Sequence, residues 1–574
     1  MKLKAGLEIH QQLDTRKLFC KCESNLDNNR EEKKFKRRLH VTKSEMGNID
    51  AAAKTERIRN FEYETSEFDC LVEADEEPPR GPNENSLMIA LQVAKMLGST
   101  PLEEIQFMRK IIVDGSNTTG FQRTALIAVG GRLKIDGEDI GIEQICLEED
   151  SCRKGKRDDE YVTDRLGIPL VEITTSPELN TPKKVREAAK ELGNILRACG
   201  VKRGIGTIRQ DVNISIPEGE RVELKGFQNL DMMIEVIENE VNRQQILSKI
   251  SKADVGSVVD IGEVIKYKNE GAMACKISGW KGLLGNKESN NEHPRLGKEL
   301  SEYAKKSGVK GIMHSDELPN YGIDENDVKM IMKELKCGDK DSFVLVLGKE
   351  KIARKGLEMV RSRAEQGGVP KEVRKVMENG KSAFLRPIPG AARMYPETDI
   401  PPIDLRGIKI SKPNTLKERM KKIKLGGDIS KQLVLKGLDK RYLNLISTDS
   451  NEKIVARILL NEMPEMRKNG IPESGDKEIL KILKEIEAGN LAKEGIYENL
   501  VKLARKEEIN QDTVSIEELE KYINELLEEK KSFVKENAGR AVGPLMGIVM
   551  EKYRGKIDGM IISQKLKEGI ERIK

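Results

Sequence analysis

Three consecutive carboxylates end the segment Gly141-Ile142-Glu143-Gln144-Ile145-Cys146-Leu147-Glu148-Glu149-Asp150. Its alternation of apolar and polar residues predicts a β-strand. Adjacent acids repel one another, so in a partly buried cleft they need a divalent metal ion or a basic side chain nearby. The simpler interpretation is a solvated acidic loop, because most charged residues are exposed. The neighbouring segments favour the cleft.

Four other segments combine an apolar face with a face of polar side chains. The alternation is clear in residues 3–12, 171–173, 208–214 and 222–225. Strand geometry places these polar residues on the side away from the core: Glu8, His10, Glu172, Arg209, Asp211 and Lys225. We therefore predict one largely antiparallel sheet whose polar face suits Mg²⁺ and a polyphosphate.

A carboxylate-lined face can accept ATP only if metal ions bridge the acids and the phosphates, and Mg²⁺ suits that task. Arg209 and Lys225 can add positive charge, and a glycine-containing turn can add backbone N–H donors. The candidate nucleotide-binding residues of this turn are Gly115, Ser116, Asn117 and Thr118. The sequence has neither a phosphate-loop lysine motif nor a dinucleotide-type glycine pattern, so it predicts a less common nucleotide site.

Several motifs, taken in order, resemble the GatB/GatE family of tRNA-dependent amidotransferase subunits. They are Gly6-Leu7-Glu8-Ile9-His10, Leu18-Phe19-Cys20-Lys21-Cys22, Leu147-Glu148-Glu149-Asp150, Asp164-Arg165-Leu166-Gly167-Ile168-Pro169-Leu170-Val171-Glu172-Ile173 and Arg209-Gln210-Asp211-Val212-Asn213-Ile214-Ser215. The run Cys70-Leu71-Val72-Glu73-Ala74-Asp75-Glu76-Glu77-Pro78-Pro79 and a long insertion are similar to the archaeal GatE branch. The resemblance covers essentially the whole chain.

The resemblance implies a specific reaction, the conversion of Glu-tRNA(Gln) to Gln-tRNA(Gln). ATP and Mg²⁺ are the expected cofactors: the glutamate carboxylate is phosphorylated, and ammonia displaces the phosphate. Ammonia is expected to come through a channel from a partner, the asparaginase-like protein GatD. The helical and tail domains of the family bind the tRNA.

The expected catalytic residues follow from the strand faces and the resemblance together. They are Glu8, His10, Glu148, Glu149, Glu172, Asp211, Arg209 and Lys225, and the expected metal ligands among them are Glu8, His10, Glu148, Glu149 and Glu172. Alternation allows only one of Glu148 and Glu149 to face the site.

The resemblance also suggests further residues near the site. Gln122 and Arg123 are expected to bind the nucleotide, with a simple hairpin turn as the alternative. Arg393 and Glu397, in a proline-rich segment, are additional candidates. His293 and His314 are interpreted as structural because no acidic cluster accompanies them.

The cysteines leave a zinc site open without favouring it. Related subunits often carry Cys-x-Cys plus Cys-x-x-Cys, whereas here Cys20 and Cys22 are followed by Cys70 alone, with no evident fourth ligand near Glu73. Tetrahedral zinc normally needs four ligands. We therefore expect a cluster of free or buried thiols, with zinc as the alternative.

Composition predicts a cytoplasmic protein without a membrane segment. The 574 residues include 101 basic and 96 acidic ones, and this balance permits tRNA binding without arguing for it. The eight cysteines show no disulfide-like framework, and no long apolar run is present. The basic run Lys33-Lys34-Phe35-Lys36-Arg37-Arg38 is interpreted as a solvated loop.

The predicted fold class is α+β. Capping residues and apolar periodicity predict helices near residues 83–98, 181–199 and 230–250. The predicted domains are a catalytic cradle (1–258), an α/β insert resembling the extra domain of bacterial-type aspartyl-tRNA synthetase (259–382), a return to the cradle (383–408), a helical domain (409–506) and a helical, tRNA-binding tail (507–574).

Two other functions remain open at this point. One is a non-catalytic tRNA-binding module with a decayed active site, which would need no metal. The other is a metal-dependent nuclease built on the same carboxylates, which would cut tRNA with Mg²⁺ alone.

Overall fold

The computed structural model of the chain describes residues 3–26, 33–40, 60–227, 229–265, 271–285, 296–388, 394–396, 399–446, 451–488, 491–509, 516–553 and 559–573, with the single residues 43, 47, 49, 390 and 557. His293, Arg393 and Glu397 lie outside the described residues. The chain divides into two compact units, Met1–Pro413 and Asn414–Lys574.

The described strands all belong to the first unit. In chain order they are β1 Lys4–Gln12, β2 Lys34–Arg38, β3 Asn60–Glu64, β4 Thr100–Pro101, β5 Glu104–Ile105, β6 Phe107–Ile111, β7 Phe121–Val129, β8 Arg132–Ile135, β9 Glu138–Glu149, β10 Arg153–Lys154, β11 Glu160–Val162, β12 Pro169–Thr175, β13 Ile208–Ser215, β14 Val222–Lys225, β15 Val259–Asp260, β16 Ala272–Ile277, β17 Met313–His314, β18 Ser342–Leu347, β19 Glu372–Val376, β20 Ser382–Pro387, β21 Met394–Tyr395 and β22 Ile403–Asp404.

The helices of the first unit are α1 Glu84–Leu97, α2 Pro182–Ala198, α3 Met232–Leu247, α4 Leu296–Lys305, α5 Glu325–Glu334 and α6 Glu350–Gln366. Those of the second unit are α7 Leu416–Lys421, α8 Gly427–Leu435, α9 Asp439–Ile446, α10 Glu452–Arg457, α11 Met463–Lys468, α12 Asp476–Glu487, α13 Ile496–Ala504, α14 Ile516–Glu529, α15 Lys531–Asn537, α16 Val542–Tyr553 and α17 Gly559–Ile573.

A sheet of twelve strands organises the first unit. Its order is β20-β19-β14-β13-β1-β12-β9-β7-β6-β21, with β4 beside β7 and β8 beside β9. Among the described strands its pairs are antiparallel except for β14 and β19. The prediction of a mixed fold with a large sheet, many helices and a helical C-terminal region is confirmed.

Helices α1, α2 and α3 cover the apolar face of this sheet. Leu7 of β1 shares one hydrophobic core with Leu91, Leu192 and Ile237, one residue from each of these helices. The predicted caps are present, because the Asn83 and Thr181 side chains accept hydrogen bonds from the first-turn backbone of α1 and α2. With its apolar face covered, the sheet presents its polar face to a cavity.

A second, smaller sheet is formed by residues that fall in the sequence between β14 and β19 of the main sheet. Its order is β15-β16-β18-β17, and α4, α5 and α6 share hydrophobic cores with it. His314 is buried at the end of β17. The chain rejoins the main sheet with β19, which pairs with β14 from Glu372 onward, earlier than the predicted return at residue 383.

The second unit consists of helices α7 to α17 and has its own hydrophobic cores. In one of them, Leu519 and Ile523 of α14 pack with Leu545 of α16 and Leu566 of α17. Among the described residues, no helix of the chain has both the length and the apolar character that crossing a membrane requires.

Candidate active site

A cavity of about 1340 Å³ lies over the polar face of the main sheet. Strands β1, β7, β9, β12, β13 and β14 contribute the predicted residues, because alternate side chains of neighbouring strands point to the same face. The cavity is lined by these predicted residues: Glu8, His10, Gln122, Glu148, Glu172, Arg209, Asp211 and Lys225. The structure thus gathers acids from four separate parts of the sequence.

The centre of this cluster is His10. Strand register pairs His10 with Glu172 on one side and with Arg209 on the other. Its Nε2 atom lies 3.4 Å from Glu148 Oε1, 3.4 Å from Glu172 Oε2 and 3.6 Å from Glu8 Oε1. Ligand atoms of His10, Glu148 and Glu172 therefore lie close enough together to share one metal ion.

A second group of possible ligands, Glu8, His10 and Asp211, shares the same histidine. Carboxylate oxygens with one imidazole nitrogen suit a hard divalent ion such as Mg²⁺ or Mn²⁺. The donor set therefore fits the expected metal. His10 belongs to both groups, so it can bind an ion in only one of them at a time.

The protonation of this cluster is unusual. Burial, followed by the charge of Glu172, raises the pKa of Glu8 to about 7. Burial disfavours the charged form of His10, but its hydrogen bond to Glu172 and the charge of Glu148 outweigh that effect and raise its pKa to about 9. Burial likewise opposes ionisation of Glu172, yet His10 and Lys110 hold the pKa of that carboxyl below its usual range.

Basic side chains surround the acids. Lys225 bridges Asp211 and Glu223, and Arg209 Nη2 lies 2.7 Å from Asp150 Oδ1. Burial raises the pKa of the Asp150 carboxyl, but Arg209 and Arg165 more than reverse this, so Asp150 is ionised. The third acid of the run Glu148-Glu149-Asp150 thus serves to hold Arg209 at the edge of the cavity.

Glu149 points away from the cavity, which decides between the two adjacent glutamates in favour of Glu148. Glu149 Oε1 accepts a hydrogen bond of 2.9 Å from the Arg123 backbone N–H, and the Arg123 guanidinium also reaches Asp399. Burial raises the pKa of Glu149, opposed by Arg123. Glu149 and Arg123 form a buried pair beneath the site and do not line it.

The glycine-containing turn also lies away from the cavity. Gly115 packs against Phe61 and Tyr161 of the sheet β10-β11-β3-β2, where an added Cβ would approach the Phe61 ring to 2.4 Å. The Ser116 hydroxyl binds Asp114, and Thr118 Oγ1 donates to the Glu73 carbonyl. Asn117 is fully buried. The structure thus does not bring Gly115, Ser116, Asn117 and Thr118 to the cavity.

The structure places four basic residues in the cavity wall that the sequence did not identify: Lys110, Arg197, Arg221 and Arg386. For Lys110 the signal is present in β6, where Met108 and Lys110 share a face by simple alternation. Strand β6 pairs with β7 so that Lys110 lies opposite Gln122. The sequence pattern alone does not show which face of β6 lines the cavity; the pairing of Lys110 with Gln122 does.

The cysteine cluster has a fourth potential ligand. Cys20, Cys22, Cys70 and Glu73 bring their ligand atoms within 4.8 Å of one another. The Cys20 thiol donates to Glu73 Oε1 over 3.0 Å, and Glu73 Oε2 accepts from the Cys70 backbone N–H. The fourth potential ligand, which was not evident from the sequence, is Glu73 itself, whose carboxylate turns back toward the thiols. Three sulfurs and one carboxylate fit a tetrahedral zinc ion.

Comparison with known proteins identifies the family of the chain. Residues 3–410 match the family described as GatB/GatE catalytic domain. The chain is 41% identical to the E subunit of a glutamyl-tRNA(Gln) amidotransferase from Archaeoglobus fulgidus, over 99% of this chain and 98% of that protein. It is 40% identical to the protein of the same name from Methanocaldococcus jannaschii, over 100% and 99%.

An acid-lined sheet with these matches defines an amidotransferase subunit of the ligase class. The chain belongs to the GatB/GatE family. The family resemblance of its motifs is thereby confirmed.

Proposed function

We propose that the protein converts Glu-tRNA(Gln) to Gln-tRNA(Gln) in an ATP-dependent reaction. The observation that carries this proposal is the convergence of His10, Glu148 and Glu172 in one cavity, beside Lys110 and Lys225. The names of the relatives supply the substrate class. A decayed binding module would have no need for such a cluster.

The proposed reaction begins with phosphorylation of the glutamate side chain, because a free carboxylate is a poor electrophile with a poor leaving group. His10, Glu148 and Glu172 would hold Mg²⁺, which when bound reduces repulsion between the carboxylate and the γ-phosphate. Lys225 and Arg209 lie on the same cavity wall and orient the phosphate oxygens. Gln122 is within the same wall and can donate to the nucleotide.

Glu8 is suited to the second half of the reaction. When ammonia attacks the acyl phosphate, its nitrogen must lose a proton as the phosphate leaves. A carboxylate whose pKa is about 7 is an efficient general base near neutral pH. Glu8 also lines the cavity, with its Oε1 atom 3.6 Å from His10 Nε2, and we therefore assign the proton transfer to it.

The proposal includes partners. Ammonia comes from an asparaginase-like amidase, GatD, in a hetero-oligomer, which we take to be a heterotetramer. The helices of Asn414–Lys574 bind the tRNA, and the domain around β15 to β18 resembles the extra domain of aspartyl-tRNA synthetase. Because charged tRNA is a cytoplasmic substrate, the protein acts in the cytoplasm.

We also propose zinc at Cys20, Cys22, Cys70 and Glu73. Cys20 and Cys22 follow β1, Cys70 and Glu73 follow β3, and Glu73 is also 3.7 Å from the buried Lys17 ammonium. The role of this zinc is structural, because all four positions are protein ligands and none is left for substrate.

One assay tests the main proposal. Purified protein is incubated with Mg²⁺-ATP, Glu-tRNA(Gln) and free ammonium, which removes the need for the partner. We expect Gln-tRNA and ADP, both dependent on ATP. Formation of neither product would support the binding-module alternative, and cleavage of tRNA with Mg²⁺ alone would support the nuclease.

A further inference from the structure

Lys110 contacts two of the three residues that form the candidate metal group. Its Nζ atom lies 3.4 Å from Glu148 Oε2 and 3.7 Å from Glu172 Oε2. These two carboxylates, with His10, form the candidate metal group. Glu172 Oε2 also lies 3.4 Å from His10 Nε2, so this one oxygen atom contacts both His10 and Lys110.

A divalent ion and the Lys110 ammonium would compete for the same two carboxylates. Carboxylates bind Mg²⁺ at about 2.0–2.1 Å, so an ion bound to Glu172 Oε2, which is 3.7 Å from Nζ, would lie within about 6 Å of the ammonium. The two positive charges would then repel each other strongly in a partly buried site. Binding of the ion therefore favours movement of the ammonium away from these carboxylates.

Lys110 has both the freedom to move and a direction to move in. Its four-carbon side chain is flexible and its ammonium has three donors. The side chain is 22% exposed and lines the cavity opposite Gln122. The neighbouring Arg109 is held elsewhere, beside Asp399 and over the Phe121 ring, so it cannot replace Lys110 at the carboxylates without leaving those partners.

We propose that Lys110 is an internal counter-ion that holds Glu148 and Glu172 together until a divalent ion displaces it, after which its ammonium binds a phosphate oxygen of the nucleotide. This assignment rests on the proposed function for its second half only. The acids are thus never left facing each other without a cation, and each metal-binding event delivers a phosphate-binding group into the cavity.

If Lys110 is such a counter-ion, its removal should change metal affinity and turnover in opposite directions. In Lys110→Met the competitor is gone, so Mn²⁺, used as a probe in place of Mg²⁺, should bind at least about fivefold more tightly than in the wild type. ATP-dependent formation of Gln-tRNA should nevertheless fall by about 10²–10³-fold, because one charge-stabilising donor is lost. A lysine that merely supports the fold would lower both quantities.

Metal binding is measured by isothermal titration calorimetry on the full chain without tRNA or ATP. It therefore remains informative even if the wild type shows no amidotransferase activity, in which case only the proposed function fails. Lys110→Arg, which keeps the charge, should retain the weaker wild-type metal affinity. Lys134→Met, on an exposed position of β8, is the matched control and should change neither quantity.

Two outcomes would overturn the assignment. Unchanged or weaker Mn²⁺ binding in Lys110→Met would show that the ammonium does not compete with the ion. Tighter binding with full turnover would show that it does not serve the nucleotide. If Lys110→Met does not fold, as judged by its thermal unfolding, Lys110→Gln provides the same two measurements.

Discussion

Two clusters of acids and bases in the first unit of the chain use the same side-chain types in opposite ways. Where α3, α4, α6 and β19 meet, Arg243 Nη2 lies 2.7 Å from Glu299 and 2.6 Å from Glu372. Arg374 and Arg363 also contact Glu299. In the cavity, by contrast, the acids share His10 and Lys110 over 3.4–3.7 Å.

The two clusters differ in how far nearby positive charges offset the burial of the carboxylates. Glu299 is fully buried, which opposes ionisation, yet Arg243, Arg374 and Arg363 keep the pKa of its carboxyl below the usual range. In the cavity, burial raises the pKa of Glu8 to about 7, whereas His10 and Lys110 keep the pKa of Glu172 below its usual range. Short charge-assisted hydrogen bonds fix the first cluster. Long, shared contacts beside open space leave the second one able to bind a cation.

The largest effect is expected from Glu148→Gln. It removes a proposed metal ligand, so Gln-tRNA formation should fall at least about 10³-fold, while tRNA binding stays within a few-fold. His10→Ala should behave alike. The assay is product formation at saturating ATP, with tRNA affinity measured by filter binding. Near-normal turnover in both variants would remove the cavity from the mechanism.

The arginine cluster should respond in stability. Arg243→Met leaves Glu299 and Glu372 buried with fewer partners, which should cost about 3–5 kcal/mol in the free energy of unfolding. Denaturant unfolding measures this, and metal affinity should be unaffected in the folded protein. Arg361→Ala is the matched control, because Arg361 pairs with Glu365 at 2.7 Å on the surface of α6. An equal loss in both variants would mean that burial does not distinguish them.

The sequence could predict the site as far as strand alternation reaches. Period-two patterning assigns Glu8, His10 and Glu172 to the polar face, because successive side chains of a strand point to opposite faces and the apolar neighbours of these residues face the core. Alternation could say that Glu148 and Glu149 differ, but choosing between them required the position of Arg123, which is a tertiary contact.

The remaining differences also come from tertiary structure. Residues 34–38 form β2, because they pair with β3 and Phe35 stacks on Tyr63, although their charge favours a loop. The Gly115 turn has the composition of a phosphate-binding loop, yet Phe61 and Tyr161 cover it. Composition describes what a segment could bind, whereas packing decides what it faces.

The cysteine cluster around Glu73 is a third group of potential metal ligands, and it can be compared with the other two clusters. The Cys20 thiol is kept protonated in the absence of metal, since burial and Glu73 raise its pKa above the usual range. We expect about one zinc ion per chain by mass spectrometry of the native protein. Glu73→Ala should weaken zinc binding about 10–100-fold, whereas a surface carboxylate variant, Glu103→Ala, should not. Zinc-free native protein would contradict the site.

Metal affinity in the cavity should also depend on pH. The pKa of His10 is raised from 6.5 to about 9, facing Glu8, Glu148, Glu172 and Lys110. Protonated His10 stabilises the fold below about pH 6.5, and this contribution is lost as the pH rises through about 9. The ion needs the neutral ring, so Mn²⁺ affinity should rise about tenfold per pH unit up to about pH 9 and then level off.

Calorimetry in buffers of different ionisation enthalpy should show about one proton released per ion bound below that pH. His10→Gln should remove most of this dependence and leave only the smaller contribution of Glu8, whose carboxyl loses its proton near pH 7. An affinity that does not change between about pH 6.5 and 8.5 would mean that the ion bypasses His10. The cavity acids would then bind cations without the histidine, and the contrast with the arginine cluster would depend on Lys110 alone.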